Sequence, residues 1–525
     1  MKPEKQKVDQ TAKKDSRAIF FQRFGAAIFV LLIIFLSIVN LESVPPLSWD
    51  EGWTFSVARN WVEKGFYGRL LMGKPVHPGL EASLTVTAPT ALSFYLFGVG
   101  IWQGRIIGLF FLLGAVTFLY LLAGRLYDRA VANIAFVALF LTATIFWQWH
   151  PIIMARQALA EMPMLFFIVG GYVCFYFSLS CSLYFIPVAV LLWAMGAITK
   201  AQAYPFLMAS LVVPLLLTIC SRQWRIARLI AAALVSCFLT RQLLLWLQKL
   251  ILVRHGLARL ELPEIYSVVA FVPDLEIRWL ALQVSLFLVP TVVGVLYEAR
   301  KMLKRSDWSR IKSNVEILRV TILGFICSWL AWYIFCSNAY PRYAFPPNFV
   351  GSIFVAKLLR DLIDKKVNVF SWKKANTATF LGARVSRELS LAVLLTTVWS
   401  LASVKMLYGV YVIGRDTSVK QVAEFLNTQT PIDSLIETYD SQIHFLLNRK
   451  YHFPPDRVHL DLIRRTYPDN YTKVRINYDP LAADPDYLVV GDFIKGLRLY
   501  DPVIRMGAFH LIHSFNQYDI YKRAR

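Results

Sequence analysis

Long apolar runs separated by short basic segments recur from Ile19 to about residue 412. A helix needs about 20 mostly apolar residues to cross hydrocarbon. The pattern predicts spans at roughly 19–39, 105–126, 131–149, 161–179, 183–199 and 203–221. It continues at roughly 226–250, 279–298, 316–336, 344–360 and 389–412, about eleven spans in all. Ala88 to Gly100, at about thirteen residues, is short for a span and is predicted as a re-entrant or surface helix. From about Gly414 the pattern changes. Strand-like runs at Ser434–Thr438, Tyr487–Val490 and Phe509–Ser514, with a helical pattern at Val419–Leu426, predict a small α/β domain. The fold class is therefore mainly α: a polytopic helical membrane bundle with a C-terminal α/β domain. Residues 1–18 read as a basic tail, 19–413 as the bundle with a first loop at 41–104, and 414–525 as the α/β domain.

The polar positions around Leu47–Gly65 are the most informative. Ser48 followed three residues later by Glu51 reads as a capping box, and Asp50 falls in the first turn, where the helix dipole favours a carboxylate. Trp53, Val57, Ala58, Trp61 and Val62 recur at helical spacing opposite Arg59, Asn60 and Glu63, predicting a short helix on a membrane surface. The two acids either cap that helix or serve chemistry.

Composition narrows the class. Hydrophobic residues make up 57% of 525, charged residues 17%, and mean hydropathy is +0.49, beyond what a soluble core of this length needs. The net charge of +22 sits in clusters between spans, as topology signals do, so nucleic acid is not expected as a partner. Lys2, Lys5, Lys7, Lys13, Lys14 and Arg17 place the N-terminus in the cytoplasm, and the first apolar run lacks a cleavage site and is retained. In that register Arg125, Arg129, Arg222, Arg225, Arg228 and the 300–312 and 360–387 clusters all fall inside. Asp50, His77, Arg156, Glu161, Lys200, Arg342 and the C-terminal domain fall outside. The expected location is an integral plasma (inner) membrane protein. The six cysteines show neither metal-ligand spacing nor a disulfide framework.

Further candidates lie at span ends. Glu161, in ARQALAEMP, sits near a helix N-terminus with Arg156 one to two turns away. A charge beside hydrocarbon costs several kcal/mol unless paired or wet, so such residues are functional candidates, with snorkelling the alternative. Lys200 and Arg342, with Tyr343, run against the positive-inside bias, which an anion on that face explains. Lys74 and His77 are loop candidates. Nucleotide-binding glycine loops and zinc spacings are absent; Asp484 and Asp486 flank Pro485 as turn residues; Asn470-Tyr471-Thr472 is an outward-facing sequon.

The Asp50-Glu51 pair, TAPTALSFYLFG, RQALAEMP and PRYAFPP together resemble the GT-C membrane glycosyltransferases, closest to the protein O-mannosyltransferase and aminoarabinose transferase branch. IETYDSQIHFLLNRKYHFPPD and PDYLVVGDF resemble the extracytoplasmic domain of bacterial members. The resemblance implies transfer of a sugar from a polyprenyl-phosphate donor to a hydroxyl or phosphate acceptor outside the membrane. It implies catalytic roles for Asp50, Glu51 and Glu161, with Asp50 as base of an inverting reaction. Donor phosphate contacts are expected from Arg156, Lys200, Arg342 and Lys74, and substrate contacts from His77 and Tyr343. Aminoarabinose transferases carry Lys-Pro-Pro where this chain has Thr87-Ala88-Pro89, which leaves that phosphate-binding lysine unassigned, with Lys74 a candidate substitute. No cofactor or obligatory metal is expected, since hard cations want about six oxygen ligands. Membrane lipid is a partner and the acceptor is open. The rival class is a transporter or flippase of lipid-linked sugars, which would show internal repeats. A non-catalytic scaffold is a third.

Overall fold

The computed structural model describes residues 24–25, 27–141, 146–258, 264–303, 313–364, 378–380, 383–385, 387–468, 470 and 472–524. The basic tail 1–18, the start of the first span, the basic residues at 304–312 and 365–377, and Tyr471 of the sequon lie outside them.

The chain forms two compact units, residues 1–41 and 42–525. The first contains helix α1 (Ala27–Ile38), on which Ile28, Leu31 and Phe35 are exposed apolar residues. The second opens with α2 (Trp49–Lys64), hairpin β1 (Arg69–Leu71) and β2 (Lys74–Val76), and α3 (Leu84–Phe97). A bundle follows: α4 (Ile101–Leu126), α5 (Arg129–Leu141), α6 (Pro151–Ala155), α7 (Glu161–Ser180), α8 (Phe185–Thr199), α9 (Ala203–Cys220) and α10 (Trp224–Arg254). It continues with α11 (Leu275–Ser285), α12 (Val289–Leu303), α13 (Asn314–Phe335) and α14 (Phe345–Ile363), then hairpin β3 (Ala378–Phe380) and β4 (Ala383–Val385), and α15 (Arg387–Tyr408). Among the described residues seven helices are long and apolar enough to cross a membrane, and shorter apolar helices accompany them. α3, at 14 residues, is one of the short ones, as the run at Ala88–Gly100 predicted.

Burial separates the bundle's inner and outer helices. α7 is buried over 72% of its apolar window and packs against α4 and α8, whereas α10 is buried over 17% and turns Trp246, Leu247 and Leu250 outward. An apolar helix without protein cover is stable only against hydrocarbon. Glycines set the closest approaches. A side chain at Gly108 would meet the Ala155 carbonyl oxygen at 2.1 Å.

The C-terminal region is the α/β layer read from the sequence. It comprises α16 (Ser418–Gln429), β5 (Leu435–Thr438), α17 (Ser441–His444), β6 (Lys450–His452) and α18 (Asp456–Arg465). It ends with β7 (Tyr487–Gly491), α19 (Asp492–Leu497), α20 (Asp501–Arg505), β8 (Phe509–Phe515) and β9 (Tyr518–Arg523). The sheet order is β6-β5-β7-β9-β8, with β6, β5 and β7 parallel and the last two strands antiparallel. A two-residue turn joins β8 to β9, while the parallel strands are joined through helices, as parallel pairs require. Asp484, at φ 48°, is the turn residue expected beside Pro485, and Asp486 accepts from the Leu435 N–H at 3.0 Å.

One expectation fails. The helix at Trp49 forms with its capping box, Glu51 taking the Ser48 N–H at 3.3 Å, and ends at Gly65 in the left-handed region. It does not lie on a surface, because residues 51–58 and Asn60 are buried. The helix is amphipathic by sequence, but its polar face meets protein. Arg59 donates to the carbonyl oxygens of Phe445 and Leu447 in the C-terminal region, and Gly52 touches Gln442 so closely that a side chain would meet its backbone at 2.4 Å. Phe55 and Val57 share one apolar core with Val422, Ile436, Ile443 and Phe445.

Candidate active site

A cavity of about 1230 Å³ lies where α2, the ends of α7 and α8, the turn before α14 and the C-terminal region converge. Asp50 enters it from the first turn of α2, Glu161 from the first residue of α7, Lys200 from the C-cap of α8, and Arg342 with Tyr343 from the short helix Pro341–Ala344. The Trp149 indole N–H to the Pro341 carbonyl, at 2.5 Å, and Trp329 to the Tyr343 carbonyl, at 2.7 Å, hold that turn.

The four charged groups form one chain. Arg342 Nη1 pairs with Asp50 Oδ2, Arg342 Nε lies 3.4 Å from Glu161 Oε1, and Lys200 Nζ pairs with the same Glu161 oxygen. Lys200 Nζ also lies 5.0 Å from the Tyr343 ring centre, and Arg342 lies over Tyr340 at 5.3 Å. Glu161 is almost wholly buried at 2% side-chain exposure, while Asp50 at 24% and Arg342 at 20% remain open to the cavity. Burial by itself lowers the Arg342 guanidinium, but Asp50 and Glu161 outweigh it and hold the group well above its ordinary value. Burial draws the Lys200 ammonium down, Glu161 pulls it back in part, and Arg342 lowers it further.

Five of the sequence candidates, Asp50, Glu161, Lys200, Arg342 and Tyr343, thus meet on one cavity wall. The other four do not line it. Glu51, one residue from Asp50 and so turned about 100° around the helix, points into the protein: Arg105 Nε and Nη2 donate to its two oxygens at 2.8 Å each, and neither side chain is exposed. Arg156, also fully buried, donates to the Val44 carbonyl at 2.7 Å and stacks over Tyr411 at 5.0 Å. Lys74 is exposed on β2. The His77 ring lies 3.0 Å from Arg69 Nη2, and Arg69 in turn makes a two-pronged pair with Asp456 of α18 at 3.0 and 2.6 Å.

Glu81 is a cavity residue that the sequence reading missed. Its Oε2 is buried without a hydrogen-bond partner, and burial, with Asp50 and Asp456 nearby, pushes its carboxyl up to about 8. No spacing marks it, since it lies in an irregular loop before α3. Tyr439, Asp440, His459 and Phe493 of the C-terminal region were also missed as site residues, and they form the wall facing Asp50. A signal existed: β5 and β7 each run into an acid beside an aromatic residue, Tyr439-Asp440 and Asp492-Phe493. Burial raises Asp440 to about 6 and lowers His459 to about 4. Among the described residues no group of three or more His, Cys, Asp or Glu side chains is placed to hold a metal ion.

The cavity also has an apolar side, made by Leu245 and Leu252 of α10 and Ile277 and Leu280 of α11. A charged pocket at the end of a membrane bundle, lined on one side by helix α10 and roofed by an α/β layer, is the architecture of the GT-C fold. The comparisons agree on this fold. ArnT from Cupriavidus metallidurans bound to undecaprenyl phosphate superposes with a TM-score of 0.63 over 94% of this chain and 97% of its own, at 14% identity. The oligosaccharyltransferase AglB from Archaeoglobus fulgidus, in complex with an inhibitory peptide and a dolichol-phosphate, superposes with a TM-score of 0.53 over 96% of this chain and 75% of its own, at 12% identity. No protein-family model matches the sequence, and no curated protein matches it.

Proposed function

We propose that the protein is a membrane glycosyltransferase that moves a sugar from a polyprenyl-phosphate donor to an acceptor on the extracytoplasmic side of the plasma (inner) membrane. The observation that carries this reading is the pairing of Asp50 with Arg342 in a cavity with one ionic wall and one apolar, lipid-directed side. A polyprenyl phosphate needs both: cations for the phosphate and hydrocarbon for the chain. The solved complexes of the two neighbours, with undecaprenyl phosphate and dolichol-phosphate, support the donor class.

In this reading Arg342 exchanges Asp50 for the donor phosphate, which Lys200 also meets while it stays paired with Glu161. That exchange frees Asp50 as the base. The acceptor oxygen attacks the anomeric carbon from the side opposite the phosphate, and the bond from that carbon to the phosphate oxygen breaks. Polyprenyl phosphate leaves with the electron pair and Asp50 takes the acceptor proton, inverting the sugar. Such base catalysis contributes roughly 10²- to 10⁴-fold. Glu161 holds Lys200 and Arg342 in place, Tyr343 lines the phosphate side, and Glu81, protonated near neutrality, donates a hydrogen bond. Arg156, Glu51 and the Arg69 cluster with His77 support the wall from behind, and Lys74 lies outside the reaction. Domain limits at 414 and a cytoplasmic N-terminus belong to the same proposal.

The test is incubation of the purified protein with labelled polyprenyl-phosphate sugars and an extract of envelope acceptors. Release of polyprenyl phosphate with a glycosylated product, lost in Asp50→Asn, is the expected result. Movement of the lipid across liposomes without bond cleavage overturns it in favour of a carrier.

A further inference from the structure

The roof of the cavity is the carboxyl-terminal edge of a parallel sheet. β5 sits between β6 and β7, and the chain leaves β5 for β6 on one side before returning to β7 on the other. In sheets of this order the connections diverge between the central strand and the strand reached last, and the crevice outside their carboxyl ends is where ligands dock. Here that crevice is flanked by Tyr439 and Asp440 after β5 and by Asp492 and Phe493 after β7. Gly491 brings the two ends together. Its N–H donates to Asp440 Oδ2 at 2.9 Å, and a side chain there would strike the Asp440 carboxylate at 2.8 Å. Tyr439, Asp440 and Phe493 all line the cavity that holds Asp50.

The chemistry of this wall differs from that of the wall opposite. Among the described residues that the C-terminal region contributes there is neither lysine nor arginine. Phe493, in the first turn of α19, lines the cavity and is 49% exposed, and its ring stacks on Tyr439 with centres 5.9 Å apart and planes 29° apart. Asp440 Oδ1 receives the Gln442 amide at 3.2 Å, and Gln442 Oε1 is buried without a partner. One exposed aromatic ring beside hydrogen-bond acceptors, with no cation of this region lining the cavity, suits a neutral ring that carries hydroxyls.

We infer that this switch-point crevice is the acceptor subsite and that the acceptor is a saccharide hydroxyl, the sugar ring resting on Phe493 with its hydroxyls directed to Asp440. The assignment rests on the glycosyltransferase reading for the word acceptor, but not for the binding of a saccharide. Asp440 and Asp492 already have partners in Gly491, Gln442 and Lys495, and Lys495 also pairs with Asp519, which leaves neither a bare carboxylate for a basic peptide nor an open cation for a phosphate.

Saturation-transfer NMR on the purified full chain tests it, with a set of neutral methyl hexopyranosides, inorganic phosphate and a short uncharged peptide as probes. Polyprenyl phosphate is titrated in parallel. The expected result is saccharide binding that weakens by about tenfold in Phe493→Ala, the upper range of a single aromatic contact, and returns in Phe493→Tyr. Because Phe493 is half exposed, its truncation leaves the fold intact. Polyprenyl phosphate bound without any saccharide signal overturns the subsite while leaving the donor reading in place. Saccharide binding that depends on Phe493 supports the subsite even where no lipid binds, a result that overturns the donor reading alone. Phosphate or peptide bound in place of the saccharide, or saccharide binding indifferent to Phe493→Ala, overturns the inference.

Discussion

Asp50 and Glu51 are chemically alike and adjacent, so exchanging each for its amide separates chemistry from architecture. Glu51 accepts two N–H groups from Arg105 at 2.8 Å, one from Ala158 at 3.2 Å and one from Ser48 at 3.3 Å, and it is unexposed. Glu51→Gln removes the negative charge and leaves the Arg105 guanidinium buried and uncompensated. Breaking one side of such a pair costs about 3–5 kcal/mol. Against a total stability of about 5–15 kcal/mol that is a large fraction. Asp50 is 24% exposed, so its pairing with Arg342 contributes at most about 1 kcal/mol after solvent screening, whereas loss of a base slows transfer roughly 10²- to 10⁴-fold. The assay is denaturant unfolding in detergent, followed by tryptophan fluorescence, beside transfer measured per folded molecule. Glu51→Gln is expected to unfold at markedly lower denaturant and to keep most transfer below its transition. Asp50→Asn is expected to do the reverse. Replacing both partners, Glu51→Leu with Arg105→Met, should recover much of the loss, because no unpaired charge remains. Wild-type stability in Glu51→Gln together with abolished transfer would refute the reasoning and return Glu51 to the chemistry.

Glu81→Gln should change how stability depends on pH. A carboxyl raised from 4.5 to about 8 binds its proton more tightly when folded, so the wild-type protein loses stability as pH rises through that window; the variant should match it at pH 4 and exceed it at pH 9 in thermal unfolding. Equal midpoints at pH 9 would show that Glu81 ionises freely. Arg342→Gln is expected to weaken binding of polyprenyl phosphate tenfold or more, on the order of one charge-assisted hydrogen bond, as read by lipid titration; unchanged binding would move the phosphate elsewhere. Gly52→Ala should destabilise the protein by about 1–3 kcal/mol through overpacking, since the new methyl meets the Gln442 backbone at 2.4 Å; an unfolding midpoint equal to the wild type would contradict that contact. Asp433→Cys, at a side chain 89% exposed, should react with an impermeant thiol reagent applied to intact cells, and reaction only after lysis would reverse the proposed orientation.

Much of the bundle was legible in the chain, because a span is a local property. Twenty apolar residues and a basic flank suffice whatever they pack against, and so Glu161 and Lys200 were found at the ends of the helices now seen at Glu161–Ser180 and Phe185–Thr199. The strands at Leu435–Thr438, Tyr487–Gly491 and Phe509–Phe515 were legible for the same reason, each being a short apolar run between turn residues. What packing decides was not. The periodicity of Trp49–Lys64 reports which side is apolar, but not that the polar side is covered by the C-terminal region, nearly 400 residues later in sequence. Nor does it tell Asp50 from Glu51, whose environments differ because one helical step points the first into the cavity and the second at Arg105 on another helix. Glu81, and the wall of Tyr439, Asp440 and Phe493, acquire their setting only when loops and strand ends distant in sequence close on one cavity. Local pattern fixes which elements exist. The desolvation and pairing that give a side chain its chemistry are set by neighbours that only the tertiary fold supplies.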